Sequence, residues 1–88
     1  MKLKYEFSVR EIMGDYILIP AGESALAFSK MMTTTEVGAF LCDHLQREYT
    51  REELLEKVLA EYEVDRQTAS EDLDEFLTAL RELDLLTE

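Results

Sequence analysis

Thr50-Arg51-Glu52-Glu53-Leu54-Leu55-Glu56-Lys57-Val58-Leu59-Ala60-Glu61-Tyr62-Glu63-Val64-Asp65 is the stretch on which the fold turns. Thr50 with Glu53 forms a capping box, in which a hydroxyl and a carboxylate satisfy the free amides of a first helical turn. Leu54, Leu55, Val58, Leu59 and Tyr62 then follow at the three-and-four spacing of one buried helix face. Asp65 is a good N-cap for a further helix, whose stripe is Ala69, Leu73, Phe76, Leu77, Leu80 and Leu83. Only Glu63-Val64 connects the two, so they form a helix-turn-helix pair.

Towards the N-terminus, Thr33-Thr34-Thr35-Glu36 also fits a capping box, and Val37, Phe40, Leu41 and Leu45 continue from it as another apolar stripe. Before Thr33 the periodicity changes. Tyr5 to Ile12 and Tyr16 to Ile19 flank Met13-Gly14-Asp15, a glycine-containing connection of the kind that closes a hairpin. Pro20 and Gly22 interrupt the chain again. Ala25 to Met32 is a third candidate strand, with Leu26, Phe28 and Met32 on one face and Ala27, Ser29 and Met31 on the other. Strands over about 5–32 and helices over about 33–86 predict an α+β domain: a three-stranded antiparallel sheet followed by three helices, winged helix-turn-helix-like in outline. The whole span 1–88 reads as one domain, since a chain of this length hides only somewhat more than ~60% of its unfolded surface.

Charge narrows the function. Nine basic and twenty acidic residues leave −11, while 47% hydrophobic residues are too many for a disordered acidic tail. Met1 to Met32 is neutral, with four bases and four acids, so the sixteen acids and five bases from Thr33 onward carry the whole excess. A phosphate backbone would be repelled. In the third helix, Arg66, Gln67 and Arg81 face Asp65, Glu71, Asp72, Asp74, Glu75, Glu82 and Asp84, the wrong balance for reading DNA. The helices are amphipathic with acidic polar faces, unlike a membrane-surface helix, and no apolar run approaches the ~18 residues of a membrane span. The expectation is a cytoplasmic protein with neither nucleic acid nor membrane as partner.

The inventory for catalysis is thin. Cys42 and His44 lie two positions apart on one helix, so their side chains point about 200° apart and cannot pair. A single cysteine excludes an internal disulfide and a cysteine metal cluster. Asp72, Asp74 and Glu75 read as a solvated helix face, because the loop and glycine of a calcium site are missing. Gly14, Gly22 and Gly38 stand too far apart for a phosphate loop. No cofactor or metal is expected, and the chain reads as a binding module, not an enzyme. At least one strand of such a sheet is an edge. That edge either accepts an extended peptide as an added strand or is covered by the protein's own helix or a second copy, and both monomer and dimer are compatible with it.

Gly14-Asp15-Tyr16-Ile17-Leu18-Ile19-Pro20 resembles the early hairpin of PqqD-like proteins. Thr50-Arg51-Glu52-Glu53-Leu54, Tyr62-Glu63-Val64-Asp65 and the run from Asp72 to Leu86 resemble the family's helical half, so the likeness extends from about Phe7 to Thr87. Three positions depart from the pattern: Met32-Thr33 stands for a frequent Leu-Asn, Gln46-Arg47-Glu48 for an Asp-Gly turn, and Asp84 for a glycine before the last aliphatic pair. Asp tolerates a left-handed backbone better than most residues, so the helix end survives that last change.

The resemblance implies a RiPP recognition element. Such a peptide chaperone binds the leader of a ribosomally made precursor and presents its core to a modifying enzyme, often a radical S-adenosylmethionine protein. By the same resemblance the leader adds to the third strand, at Ala25, Leu26, Ala27, Phe28, Ser29, Lys30 and Met31, and lies against Asp72, Phe76, Ala79 and Leu80 of the third helix. The acidic helices would suit a basic patch on the enzyme.

Overall fold

The computed structural model describes residues 1–23 and 32–88. Its elements are β1 (Lys2–Leu3), β2 (Phe7–Ile12), β3 (Asp15–Pro20), β4 (Met32–Thr34), α1 (Glu36–His44), α2 (Arg51–Glu61), α3 (Arg66–Glu82) and β5 (Leu86–Thr87). β2, β3 and β4 form an antiparallel sheet in that order, and the three helices follow it, as the sequence predicts.

Ile12 pairs with Asp15, which leaves Met13-Gly14 as a two-residue loop with φ of +52° and +88°. Two left-handed residues define the turn that matches the twist of a hairpin, and Asn-Gly suits it best. Met13 is 99% exposed, so its side chain contributes no packing in return for its strained backbone. Met13→Asn is therefore expected to stabilise the domain by about 0.5–1 kcal/mol, since asparagine enters the left-handed region more readily. Urea unfolding measures this, and an unchanged midpoint would show that the turn is not strained.

Of the predicted third strand, Met32 opens β4, and Ala25 to Met31 lie outside the described residues. The helix start at Thr33 is corrected. Thr33 and Thr34 are paired with Ile17 and Tyr16, and the N-cap is Thr35, whose Oγ1 accepts from the Gly38 amide at 3.1 Å. All three threonines offer capping chemistry, but two are β-branched residues with a strand beside them, and the ladder claims them.

The other helix starts agree with the sequence. Thr50 and Glu53 close a reciprocal capping box, and Asp65 accepts from the Thr68 amide at 3.1 Å. Hydrogen bonds from Thr68 hold the Asp65 carboxyl below the usual carboxylate range. A depressed folded value stabilises the fold above the unfolded value of about 3.9, and that contribution is lost as pH falls through the folded value. Asp65→Asn keeps an N-cap acceptor but removes the charge. Its deficit in urea midpoint against wild type is expected at pH 7 and shrinks as pH falls below the unfolded value towards the folded one; a deficit independent of pH would assign the effect to shape alone.

Leu41, Leu45, Leu54, Leu73, Leu77 and Leu85 are almost fully buried, joined by Leu18 and Phe7 from the sheet. The predicted stripes hold with one exception: Leu83, the C-cap residue of α3, is 56% exposed. It lies off the axis of the Ala69–Leu73–Leu77–Leu80 face, and α3 ends there. Asp84 takes φ +57°, its amide bonds Arg81 O at 3.0 Å, and the Leu85 amide bonds Leu80 O at 2.9 Å. This is a Schellman ending with aspartate in the position that glycine normally fills. It turns the chain so that Leu85 enters the core and β5 pairs with β1, Leu3 opposite Leu86. Gln46 supports the sheet from the end of α1, donating to Cys42 O at 3.2 Å and accepting from the Phe7 amide at 3.5 Å.

Candidate functional site

β4 is the last strand of the three-stranded sheet, and no described strand pairs with its outer side. Beside it runs a groove of about 820 Å³, lined by Thr33 and Thr34 of β4, by Thr35, Val37, Gly38 and Leu41 from the start of α1, by Asp72, Glu75, Phe76 and Ala79 of α3, and by Asp15. That volume lies within the range of small ligand sites, but the described walls are the β4 edge and a helix, the setting for an extended chain.

Gly38 explains how the walls come so close. A Cβ placed there would collide with Thr34 Oγ1 and stand 3.3 Å from Phe76 Cε1, so only glycine allows α1, β4 and α3 to meet at this point. Tyr16 braces the same corner, its hydroxyl donating to Glu36 Oε1 at 3.3 Å. Beneath the groove, a hollow of about 100 Å³ between the three helices shares Val37, Leu41 and Asp72 with it. The remaining lining of the hollow is apolar apart from the Tyr62 hydroxyl: Val58, Tyr62, Val64, Ala69 and Leu73.

The flank of α3 that faces the groove is now assigned. Asp72, Phe76 and Ala79 line it, whereas Leu80 is 4% exposed and belongs to the core. Ala25, Leu26, Ala27, Phe28, Ser29, Lys30 and Met31 lie outside the described residues. Asp15, Thr33, Thr34, Thr35, Val37, Gly38, Leu41 and Glu75 were not expected at the site. Only Glu75 had a sequence signal, standing three positions after Asp72 on one helix face.

Asp74 belongs to the opposite flank. Arg51 grips it with Nε and Nη2, at 2.6 and 3.0 Å, and also donates to Ser70 Oγ, which ties the start of α2 to the middle of α3. Those hydrogen bonds hold the Asp74 carboxyl below its usual range. Cys42 and His44 do not meet: Cys42 is in the core, where burial pushes its thiol up to about 12, and the His44 ring packs 4.4 Å from Phe40 with Nδ1 2.9 Å from Phe40 O. Among the described residues no helix is long and apolar enough to cross a membrane.

A winged helix-turn-helix domain whose outer β4 edge has no described strand paired to it, beside a groove with acidic described walls, is thus the class of protein that the fold and site define. Residues 16–86 match the family model described as Coenzyme PQQ synthesis protein D (PqqD), and the chain belongs to that family. Among solved structures it is similar to TbiB1 in complex with the TbiA(beta) leader peptide, at 28% identity and a TM-score of 0.70, covering 98% of this chain and 94% of that one. It is also similar to lasso peptide synthetase B1 complexed with the leader peptide, at 20% identity and a TM-score of 0.66, covering 99% and 96%. At that lower identity the likeness concerns the fold alone. No curated protein sequence matches the chain.

Proposed function

We propose that this domain binds the leader segment of a ribosomally synthesised precursor peptide and delivers it to a modifying enzyme, such as a radical S-adenosylmethionine protein. The observation that carries the reading is the meeting, in a PqqD-family chain, of a helix-walled groove and an outer β4 edge to which no described strand is paired. TbiB1, the 28% identical structure of similar fold, is in complex with a leader peptide, which supports the same assignment. The leader adds as a strand along Ala25 to Met31 and the β4 edge, and its side chains lie against Asp72, Phe76 and Ala79. Backbone bonds give such a complex its affinity and the groove its selectivity.

The test is a backbone amide NMR titration with the leader peptide encoded nearest to this chain's gene. Shifts in Ala25 to Thr35, Gly38 and the Asp72 to Ala79 flank are expected. Shifts confined to the Arg51–Asp74 side of α3, or to the β2 edge, would put the peptide elsewhere and refute the proposed mode.

A further inference from the structure

The groove has a chemical bias that strand addition does not require. Among the described residues, every charged side chain lining it is acidic: Asp15 on one wall, Asp72 and Glu75 on the other. None of these three takes part in an ion pair among the described residues. The described cations that pair do so elsewhere: Lys4 with Asp84, Arg51 with Glu52 and Asp74, Arg66 with Glu56, and Arg81 with Glu88. Helical spacing extends the pattern along α3. Asp72, Phe76, Ala79 and Leu83 fall on one line; Glu75 forms the lip beside it, and Glu82, two turns on, shares its side of the helix. The exposed Leu83 thus falls on the Phe76–Ala79 side of α3, beyond the stretch that lines the groove, and not on the core stripe. An apolar track with an acidic lip complements a peptide that alternates apolar and basic side chains.

We propose that the groove selects leaders carrying lysine or arginine beside the apolar residue that packs on Phe76, with the cations lying over Asp72 and Glu75. The inference rests on the leader-binding reading and names the chemistry that the bound segment must have. In a strand, alternate side chains point to opposite faces, so an apolar residue directed at Phe76 has neighbours directed away from the floor, and the long stems of lysine and arginine reach back to the lip. Both carboxylates are solvent-exposed, so each contact is modest and sensitive to salt, and the selectivity comes from several acting together.

The experiment uses the encoded leader and a synthetic copy in which every lysine and arginine is glutamine. Each is titrated by fluorescence anisotropy into wild type and Asp72→Asn/Glu75→Gln, at about 50 mM and about 500 mM salt, with amide shifts recorded in parallel. The glutamine copy is expected to bind wild type about tenfold more weakly at low salt. The gap should narrow at high salt and largely close in the double variant. Equal affinity of the two peptides for wild type, with groove amides shifting in both, would overturn the charge selection and leave leader binding intact. An encoded leader without basic residues that shifts the same amides would overturn it too. Groove amides unmoved by the encoded leader would instead refute the leader-binding reading, and this inference with it.

Discussion

A Phe76→Ala variant is expected to bind the leader peptide about thirtyfold more weakly than wild type, a loss of about 2 kcal/mol. Phe76 is the one aromatic ring among the described residues of the groove lining, half-buried, and packed on the core side against the position where Gly38 has no side chain. Rings of this kind, central and partly desolvated, carry a large share of binding energy in peptide interfaces, and truncation also leaves a hollow that the peptide cannot fill. Because the ring touches the core, the substitution also lowers stability. Binding must be measured where urea unfolding shows the variant to be folded. Phe76→Leu, which keeps most of the apolar volume, serves as the control and should lose only a few-fold. If Phe76→Ala, still folded, bound the leader as tightly as wild type, the peptide would not lie in this groove.

The second large effect concerns Gly38→Ala. Alanine inside a helix normally stabilises by about 0.5–1 kcal/mol relative to glycine. Here the added methyl collides with Thr34 Oγ1 and presses on Phe76 Cε1, and overpacking of that kind costs about 1–3 kcal/mol. The net expectation is a loss of about 1–2 kcal/mol in urea unfolding. The cause is identified by a double-mutant cycle. In a Thr34→Ala background the hydroxyl is gone, and Gly38→Ala should then be neutral or stabilising. A loss of equal size in both backgrounds would mean that Thr34 is not what the methyl meets.

Much of the architecture is legible in the sequence because local chemistry and global packing agree there. Gly14 at the hairpin tip, the Thr50–Glu53 box, the Asp65 cap and the leucine stripes each specify the structure that the whole domain needs. The reading fails where two local signals compete or where the signal is too short. Thr33 can cap a helix or extend a strand, and the outcome depends on Tyr16 and Ile17, which approach only in the folded sheet. β1 and β5 are two residues each, below any periodicity that a sequence can display. Leu83 falls at the margin of its stripe, where a helix ending decides exposure.

The groove is legible only in part for a related reason. Asp72, Phe76 and Ala79 are three positions on one helix face, so a correct view of α3 brings them together. Leu80, about 100° further round the helix, falls on the core stripe with Leu73 and Leu77, and the resemblance that assigned it to the leader set that periodicity aside. Asp15, Thr34 and Gly38 come from three other segments, and their relation to Phe76 exists only once β3, β4 and α1 have packed.

Assembly from separate segments also couples recognition to folding. An unfolded chain has no groove, so a groove ligand binds the native state alone and raises its melting temperature in proportion to RT ln(1 + [L]/Kd), about 2.7 kcal/mol at a hundred times Kd. The domain is in that sense its own reporter. A set of candidate peptides ranked by the temperature at which the helices melt would be ranked by affinity, with no label and no partner enzyme present.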